Sequence, residues 1–238
     1  MILRLALAMA ATSLSLSACE RVSDDAFGQK VRTYLLAHPE VLLEAQARLQ
    51  EKQAAEATKI AQASLVQNRQ ALERDPRDFV ANPEGSITVV EFYDYNCGWC
   101  KVAAPEVVKL IRANPDVRFV FKDYVIFGAD SELAARVALT PAVRAKTLDF
   151  HQRLMAQKPA NEAAIDRELT ALDLNPAAVK TAANSPEITQ HLNDTRALAE
   201  KLRIGGTPHF VIGDEMIEGA NLKALELAIA KARAGKAS

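Results

Sequence analysis

Val89-Val90-Glu91-Phe92-Tyr93-Asp94-Tyr95-Asn96-Cys97-Gly98-Trp99-Cys100-Lys101 begins as a strand and ends as the start of a helix. Ile87 to Tyr93 is rich in β-branched and aromatic residues and short enough for one strand. Its nearly continuous apolar character predicts a central strand buried on both faces. Cys97 then falls at the N-terminus of a helix starting near Gly98. Unpaired amides and the positive end of the helix dipole stabilise a thiolate there. Cys100 follows one turn later, within reach of a disulfide. Cys97 is thus expected to be the exposed attacking thiol and Cys100 the shielded, resolving one. Val107, Val108 and Ile111 continue a buried face, Asn114-Pro115-Asp116 ends the helix, and Val117 to Val125 reads as the next strand. The result is a βαβ unit.

Cys-x-x-Cys has rival meanings. A zinc site ordinarily takes four ligands. The chain has three cysteines, and its four histidines (His38, His151, His191, His209) show no paired ligand spacing, so zinc fits poorly. A purely structural disulfide fits poorly too, because so short a loop constrains the unfolded chain little. Transient copper binding by two thiolates stays open as a rival. With 29 Lys and Arg against 30 Asp and Glu there is no basic excess, which argues against a nucleic-acid partner.

A second motif is Gly205-Gly206-Thr207-Pro208-His209-Phe210-Val211-Ile212-Gly213. Two glycines, Thr-Pro and an apolar strand resemble the cis-proline loop of the thioredoxin superfamily. There a cis X-Pro bond lets the residue at Thr207 pair with a bound peptide beside the cysteines. Ile212 to Ile217 reads as a hairpin turning at Asp214-Glu215, Gly219 as a corner, and Leu222 to Ala234 as the final helix. Between Gly128 and Arg203 the pattern is helical throughout. Asp130 or Ser131 is placed to cap Glu132 to Leu139, Pro141 to Gln157 reads as helical, and Asn161, Asn175 and Ser185 open further segments. A helical block set between two halves of such a fold resembles DsbA-like proteins. Lys122 to Gly128 and Phe150 to Met155 also resemble that family, although Val125 stands where many relatives have proline, and Pro105, five residues after Cys100, resembles the kinking proline of thioredoxin-like helices. The fold expected is α/β: a thioredoxin fold with an inserted helical domain (about 129–203) within 81–238, preceded by an N-terminal helical extension and linker over 19–80.

The resemblance implies thiol–disulfide exchange, with Cys97, Cys100 and Pro208 at the catalytic centre. No cofactor is expected beyond the redox-active Cys97–Cys100 pair, and no metal. It also implies that Glu91, six residues before Cys97, sits beneath the pair and relays protons; the alternative is a strand-edge acid facing solvent. Trp99 is expected to contact substrate from an exposed turn rather than to fill the core, and Thr207 to bind peptide. His209 reads as a strand residue and His151 as a surface histidine. Gly98-Trp99 supplies no cation and no proline. A thiolate milder than that of DsbA (pKa about 3.5, against about 7 in thioredoxin) is therefore expected, with a potential between the two.

The N-terminal Met1-Ile2-Leu3-Arg4, followed by an apolar run to Leu16, reads as an export signal over 1–18, too short for a comfortable bilayer span. Leu16-Ser17-Ala18-Cys19 resembles a bacterial lipobox, which implies lipidation of Cys19. Cleavage after Ser17 is the alternative. Glu20, not Asp, implies outer-membrane sorting in a Gram-negative lipoprotein. The expected setting is periplasmic and tethered, with exported thiol proteins as substrates and a membrane redox partner. From Ser23 to Asp75 the chain is helical, broken at His38-Pro39, with a thin stripe of Ile60, Leu65, Val66 and Leu72. Two readings fit: a solvated spacer, or a helix that packs against copies of itself. Val31 to Leu42 resembles the N-terminal segment of ScsC-like proteins, DsbA relatives that oligomerise through it, which implies a homo-oligomer. Asp75-Pro76 to Gly85 reads as a turn-rich linker.

Overall fold

The computed structural model describes residues 24–236. The signal segment 1–18 and Cys19 lie outside the described residues. The chain divides into two units between Ala57 and Thr58.

In the first unit, helix α1 (Asp24–Ala37) stops before His38-Pro39 and α2 (Glu40–Glu73) restarts at Glu40. Proline lacks an N–H, and it therefore falls at a break. No residue from 25 to 57 is buried. Phe27, Tyr34, Leu36, Leu42, Leu43 and Leu49 are all exposed.

The second unit contains a five-stranded sheet in the order β1-β3-β2-β4-β5. These strands are β1 (Phe79–Ala81), β2 (Ile87–Tyr93), β3 (Val117–Asp123), β4 (His209–Ile212) and β5 (Glu215–Glu218). β2 and β3 are parallel, with Glu91 opposite Phe121 and Tyr93 opposite Asp123; the other pairs are antiparallel. Helix α3 (Gly98–Ala113) makes the parallel crossover. Alternation along β2 splits its side chains between two cores. Val89 and Tyr93 join Cys100, Val107 and Ile111 on one face. Val90 and Phe92 join Leu198 and Leu202 on the other.

That second core also takes Leu65 and Leu72, both fully buried, from the last turns of α2. Seven residues apart, they share one helix face, and each burial contributes roughly 1.5–3 kcal/mol. Ile60 and Val66 of the same expected stripe are exposed. Arg118 and Lys122 of β3 donate to the carbonyls of Glu73 and Ala71, at 2.7 and 2.6 Å. Cations suit a helix C-terminus. The end of α2 is therefore core to the second unit, not a solvated spacer.

The segment expected to be a turn-rich linker contains β1 and is pinned to the sheet. The Asn82 amide donates to the carbonyls of Ile111, Asn114 and Val117. Gly85 lies so close that an added Cβ would sit 2.4 Å from the Arg118 backbone nitrogen. A three-residue edge strand is too short to show an alternating pattern.

Helices α4 (Ala129–Ala138), α5 (Pro141–Arg144), α6 (Thr147–Met155), α7 (Glu162–Ala171), α8 (Pro176–Ala183) and α9 (Pro186–Lys201) lie between β3 and β4. α10 (Leu222–Lys236) follows the sheet. The side chains of Asn161, Asn175 and Ser185 accept N-terminal amides of α7, α8 and α9 as capping residues do. α4 differs from expectation. Its N-cap is Gly128, with no side-chain cap bond, because the Ser131 hydroxyl donates to Asp94 instead. The 141–157 stretch is two helices, β3 stops at Asp123, and the hairpin turns at Gly213-Asp214, where Gly213 has φ +57°.

Candidate active site

Cys97 is the N-cap of α3, with extended backbone. Its sulfur accepts the Cys100 backbone N–H at 3.3 Å. Both cysteines are free thiols, and the Cys97 Sγ–H donates to the Thr207 carbonyl at 3.1 Å. The Thr207–Pro208 peptide is cis. Thus α3 and the loop before β4 converge on one sulfur from segments 110 residues apart.

The two thiols differ in acidity rather than in exposure. Hydrogen bonding from the Cys100 thiol outweighs burial and, with backbone amides of the first turn, holds the Cys97 pKa at about 6. That value lies between those cited for DsbA and thioredoxin. Burial, then hydrogen bonding to Cys97 and the nearby Glu91 charge, pushes Cys100 far up. Cys97 is only 2% exposed, contrary to the exposed thiol expected, because the Thr207–Pro208 loop covers it. Trp99, by contrast, is 66% exposed.

Glu91 is buried on the face of β2 that meets α3, with Oε2 unpaired. Burial, and then the charge of Cys97, raises its pKa to about 8. It is not a solvent-facing strand-edge acid. His209 starts β4, with its pKa lowered by burial. His151 corrects the surface reading. It is buried on α6, and its ring packs on Tyr93, Tyr95 and Phe121 at centroid distances of 5.0, 5.6 and 5.2 Å. Burial drives its pKa to about 3. The residues just before it and after it do not reveal this, because the aromatic cage comes from β2, the turn that follows it and β3, all distant in the chain.

Three groups were not legible as site residues. The Asp94 carboxylate accepts the amides of Asn96 (2.7 Å), Ile126 (2.8 Å) and Phe127 (3.1 Å) and the Ser131 hydroxyl (2.6 Å). It fixes the Cys97 turn against a segment whose Ile126 and Phe127 side chains are exposed. The Lys101 Nζ donates to the Gln157 carbonyl at 2.6 Å, and burial lowers its pKa. Tyr93 donates to Asp123 Oδ1 at 2.6 Å. Only the polar positions Asp94, Tyr93 and Tyr95 inside an apolar strand and turn hinted at such a network.

Residues 88–230 match the family described as DSBA-like thioredoxin domain. The chain belongs to that family. Its fold is the thioredoxin fold with a helical insertion, as the motifs implied. Residues 25–56 match the copper resistance protein ScsC N-terminal domain. A thioredoxin-like oxidoreductase from Silicibacter pomeroyi is 40% identical, with TM-score 0.66, over 70% of this chain and 98% of its own. BcfH of Salmonella enterica Typhimurium is 35% identical, with TM-score 0.67, over 87% and 94%. A periplasmic thioredoxin-like protein of the same serovar is 28% identical, with TM-score 0.62, over 68% and 94%. Two curated relatives, sodium/proton antiporters of Salinispora arenicola and Salinispora tropica, are 27% and 28% identical, and the chain spans only 26% and 25% of their length. DsbA-like proteins are thiol–disulfide oxidoreductases.

Proposed function

We propose that this chain exchanges thiols and disulfides on exported proteins through Cys97 and Cys100. The observation that carries the reading is the Cys97 sulfur, held as the more acidic thiol by the first turn of α3 and facing Thr207. The Cys97 thiolate attacks a substrate disulfide, and one substrate sulfur leaves as a thiolate. Cys100 then attacks Cys97 Sγ, closing the Cys97–Cys100 disulfide and releasing the second substrate sulfur. The reverse sequence oxidises a substrate dithiol. The electron pair resides in the two sulfurs, so no organic cofactor or metal takes part.

Substrate backbone takes over the Thr207 carbonyl that the Cys97 thiol occupies in the free protein, and exposed Trp99 contacts its side chains. The Cys97 pKa of about 6 supports a potential between those of DsbA and thioredoxin. The signal-like start and Cys19 support a periplasmic, lipid-tethered location at the outer membrane, served by a membrane redox partner. No described helix is long and apolar enough to cross a membrane. The exposed apolar residues of α1 and early α2 support self-association. A multimer with several sites favours isomerisation, and a monomer favours oxidation. Light scattering of the full chain beside a scrambled-substrate refolding assay separates these: a monomer that reshuffles nothing overturns isomerisation.

A second reading, copper handling by the same two thiolates, draws support from the name of the family matched at residues 25–56. Cys100→Ala distinguishes the two. An exchanger accumulates mixed disulfides at Cys97, whereas a copper carrier loses copper and traps no partner.

A further inference from the structure

Asp94 to Cys97 lie between the end of β2 and the start of α3, outside any strand or helix. Cys97 nevertheless has to hold one conformation. As the N-cap of α3 it keeps an extended backbone, with φ −68° and ψ 121°, and its sulfur meets the Cys100 N–H. A capping side chain reaches the first-turn amides only while the backbone at the cap keeps that shape. No ladder of regular hydrogen bonds holds the turn, so its own polar groups must.

Asp94 is 3% exposed, and both of its carboxylate oxygens are engaged. Oδ1 accepts the Asn96 N–H and the Ser131 hydroxyl, and Oδ2 accepts the Ile126 and Phe127 N–H groups. Ser131 Oγ in turn accepts from Asn96 Nδ2 at 3.3 Å, which closes a ring of three residues. The Asp94 carbonyl takes the Cys97 N–H itself at 3.1 Å. Asn96 Oδ1 accepts the Ala160 N–H at 2.9 Å, so the turn is moored to the inserted helical block at a second place. An ionised carboxylate is an acceptor only, whereas an amide side chain has one acceptor oxygen and an NH2. An asparagine at this position, in either orientation, turns its NH2 on at least one backbone N–H that needs an acceptor.

We propose that Asp94 is the positioning residue for Cys97, holding the turn in the shape that presents the first-turn amides of α3 to the attacking sulfur. This deepens the exchange reading given above and rests on it. Asp94 acts through the turn and is not itself a catalytic residue.

Two effects of opposite sign separate this role from that of a nearby charge. Removing a negative charge from beside a thiolate makes the thiol more acidic. Losing the cap geometry makes it less acidic, because the sulfur loses amide hydrogen bonds. Cys97 faces Cys100 and Lys101 of α3 and Glu91 of β2, and Asp94 faces Lys101 and Asp123 of β3. The variants below leave all of these in place.

The test compares the reduced full chain with Asp94→Asn and Ser131→Ala, the second removing one bond to the same carboxylate. Absorbance at about 240 nm follows thiolate formation against pH. Excess 5,5′-dithiobis(2-nitrobenzoate) in a stopped-flow instrument follows attack, in which the Cys97 thiolate breaks the reagent disulfide and releases the first thionitrobenzoate. Both variants should titrate at higher pH than wild type, Asp94→Asn by more. At about pH 5 the first phase should slow by about 3- to 10-fold, because less thiolate is present. At about pH 9 the rates should meet or cross, since a more basic thiolate is the stronger nucleophile. Near-UV circular dichroism checks folding, and Ser131→Ala carries the test if Asp94→Asn does not fold. A folded variant that titrates with wild type, or at lower pH, overturns the proposal. A wild-type protein that releases one thionitrobenzoate and never the second overturns the exchange reading instead, because no Cys97–Cys100 disulfide has then closed.

Discussion

The Cys100 backbone N–H points at the Cys97 sulfur across 3.3 Å. One residue thus stabilises the other's thiolate while its own thiol, deeper in the core, is held neutral. The ordinary Cys97 value of 9.0 falls to about 6 in the folded chain. Between these pH values the folded state binds fewer protons than the unfolded state, so stability of the reduced protein rises with pH across the window. It is lost as pH falls through about 6. Urea midpoints of reduced wild type and Cys97→Ser, compared from about pH 5 to about pH 9, should diverge in that sense. Parallel curves would show that Cys97 is not a stabilised thiolate. Absorbance of the thiolate at about 240 nm gives the pKa directly.

Glu91 shows the opposite sign. Its pKa rises from 4.5 to about 8 on burial, so the folded state binds more protons and stability falls as pH rises across that window. Glu91→Gln removes this loss. The variant should gain on wild type by on the order of a few kcal/mol between the acid and alkaline ends of the window. Equal pH slopes in chemical denaturation would place Glu91 in solvent.

His151 is held neutral inside its aromatic cage, with its pKa depressed from 6.5 to about 3. The unfolded state binds the extra proton, so stability is full above about 6.5 and drains away toward 3. His151→Phe should flatten the acid side of the stability profile by on the order of a few kcal/mol. Thermal melts from about pH 3 to pH 7 read the effect. An unchanged acid limb would refute the buried, neutral histidine.

Leu65→Ala and Leu72→Ala should each cost about 2–5 kcal/mol, because each leaves a cavity beneath β2 and β3. Ile60→Ser and Val66→Ser, at exposed positions, should cost less than about 0.5 kcal/mol. A chain starting at Thr58 is expected to fold with near-native stability and one starting at Pro76 to be strongly destabilised, read by guanidinium denaturation. Equal stability of the two would remove α2 from the core.

Much of the core and site was legible because it depends on short-range pattern. The apolar β2 run, the helix-starting Cys97 and the caps at Asn161, Asn175 and Ser185 each reflect a local rule, strand burial or orphan amides. β1 escaped because three residues carry no period, and its partner β3 lies 40 residues on. The Leu65 and Leu72 contacts escaped for a related reason. A thin stripe on a polar helix reads alike whether it meets solvent, another copy or its own sheet.

Sequence was enough to put Cys97 and Cys100 on one turn, because their pairing depends on residue type and local spacing, while the Thr207–Pro208 motif joined them only through its resemblance to a cis-proline loop. Tertiary structure alone decided the electrostatics. Glu91, Asp123 and His151 acquire their shifted proton affinities from burial by residues far away in the chain, and desolvation is a property of the packed environment. It likewise decided that Cys97 is covered. The carbonyl over its sulfur comes from 110 residues downstream, and no local pattern around the cysteines carries that information.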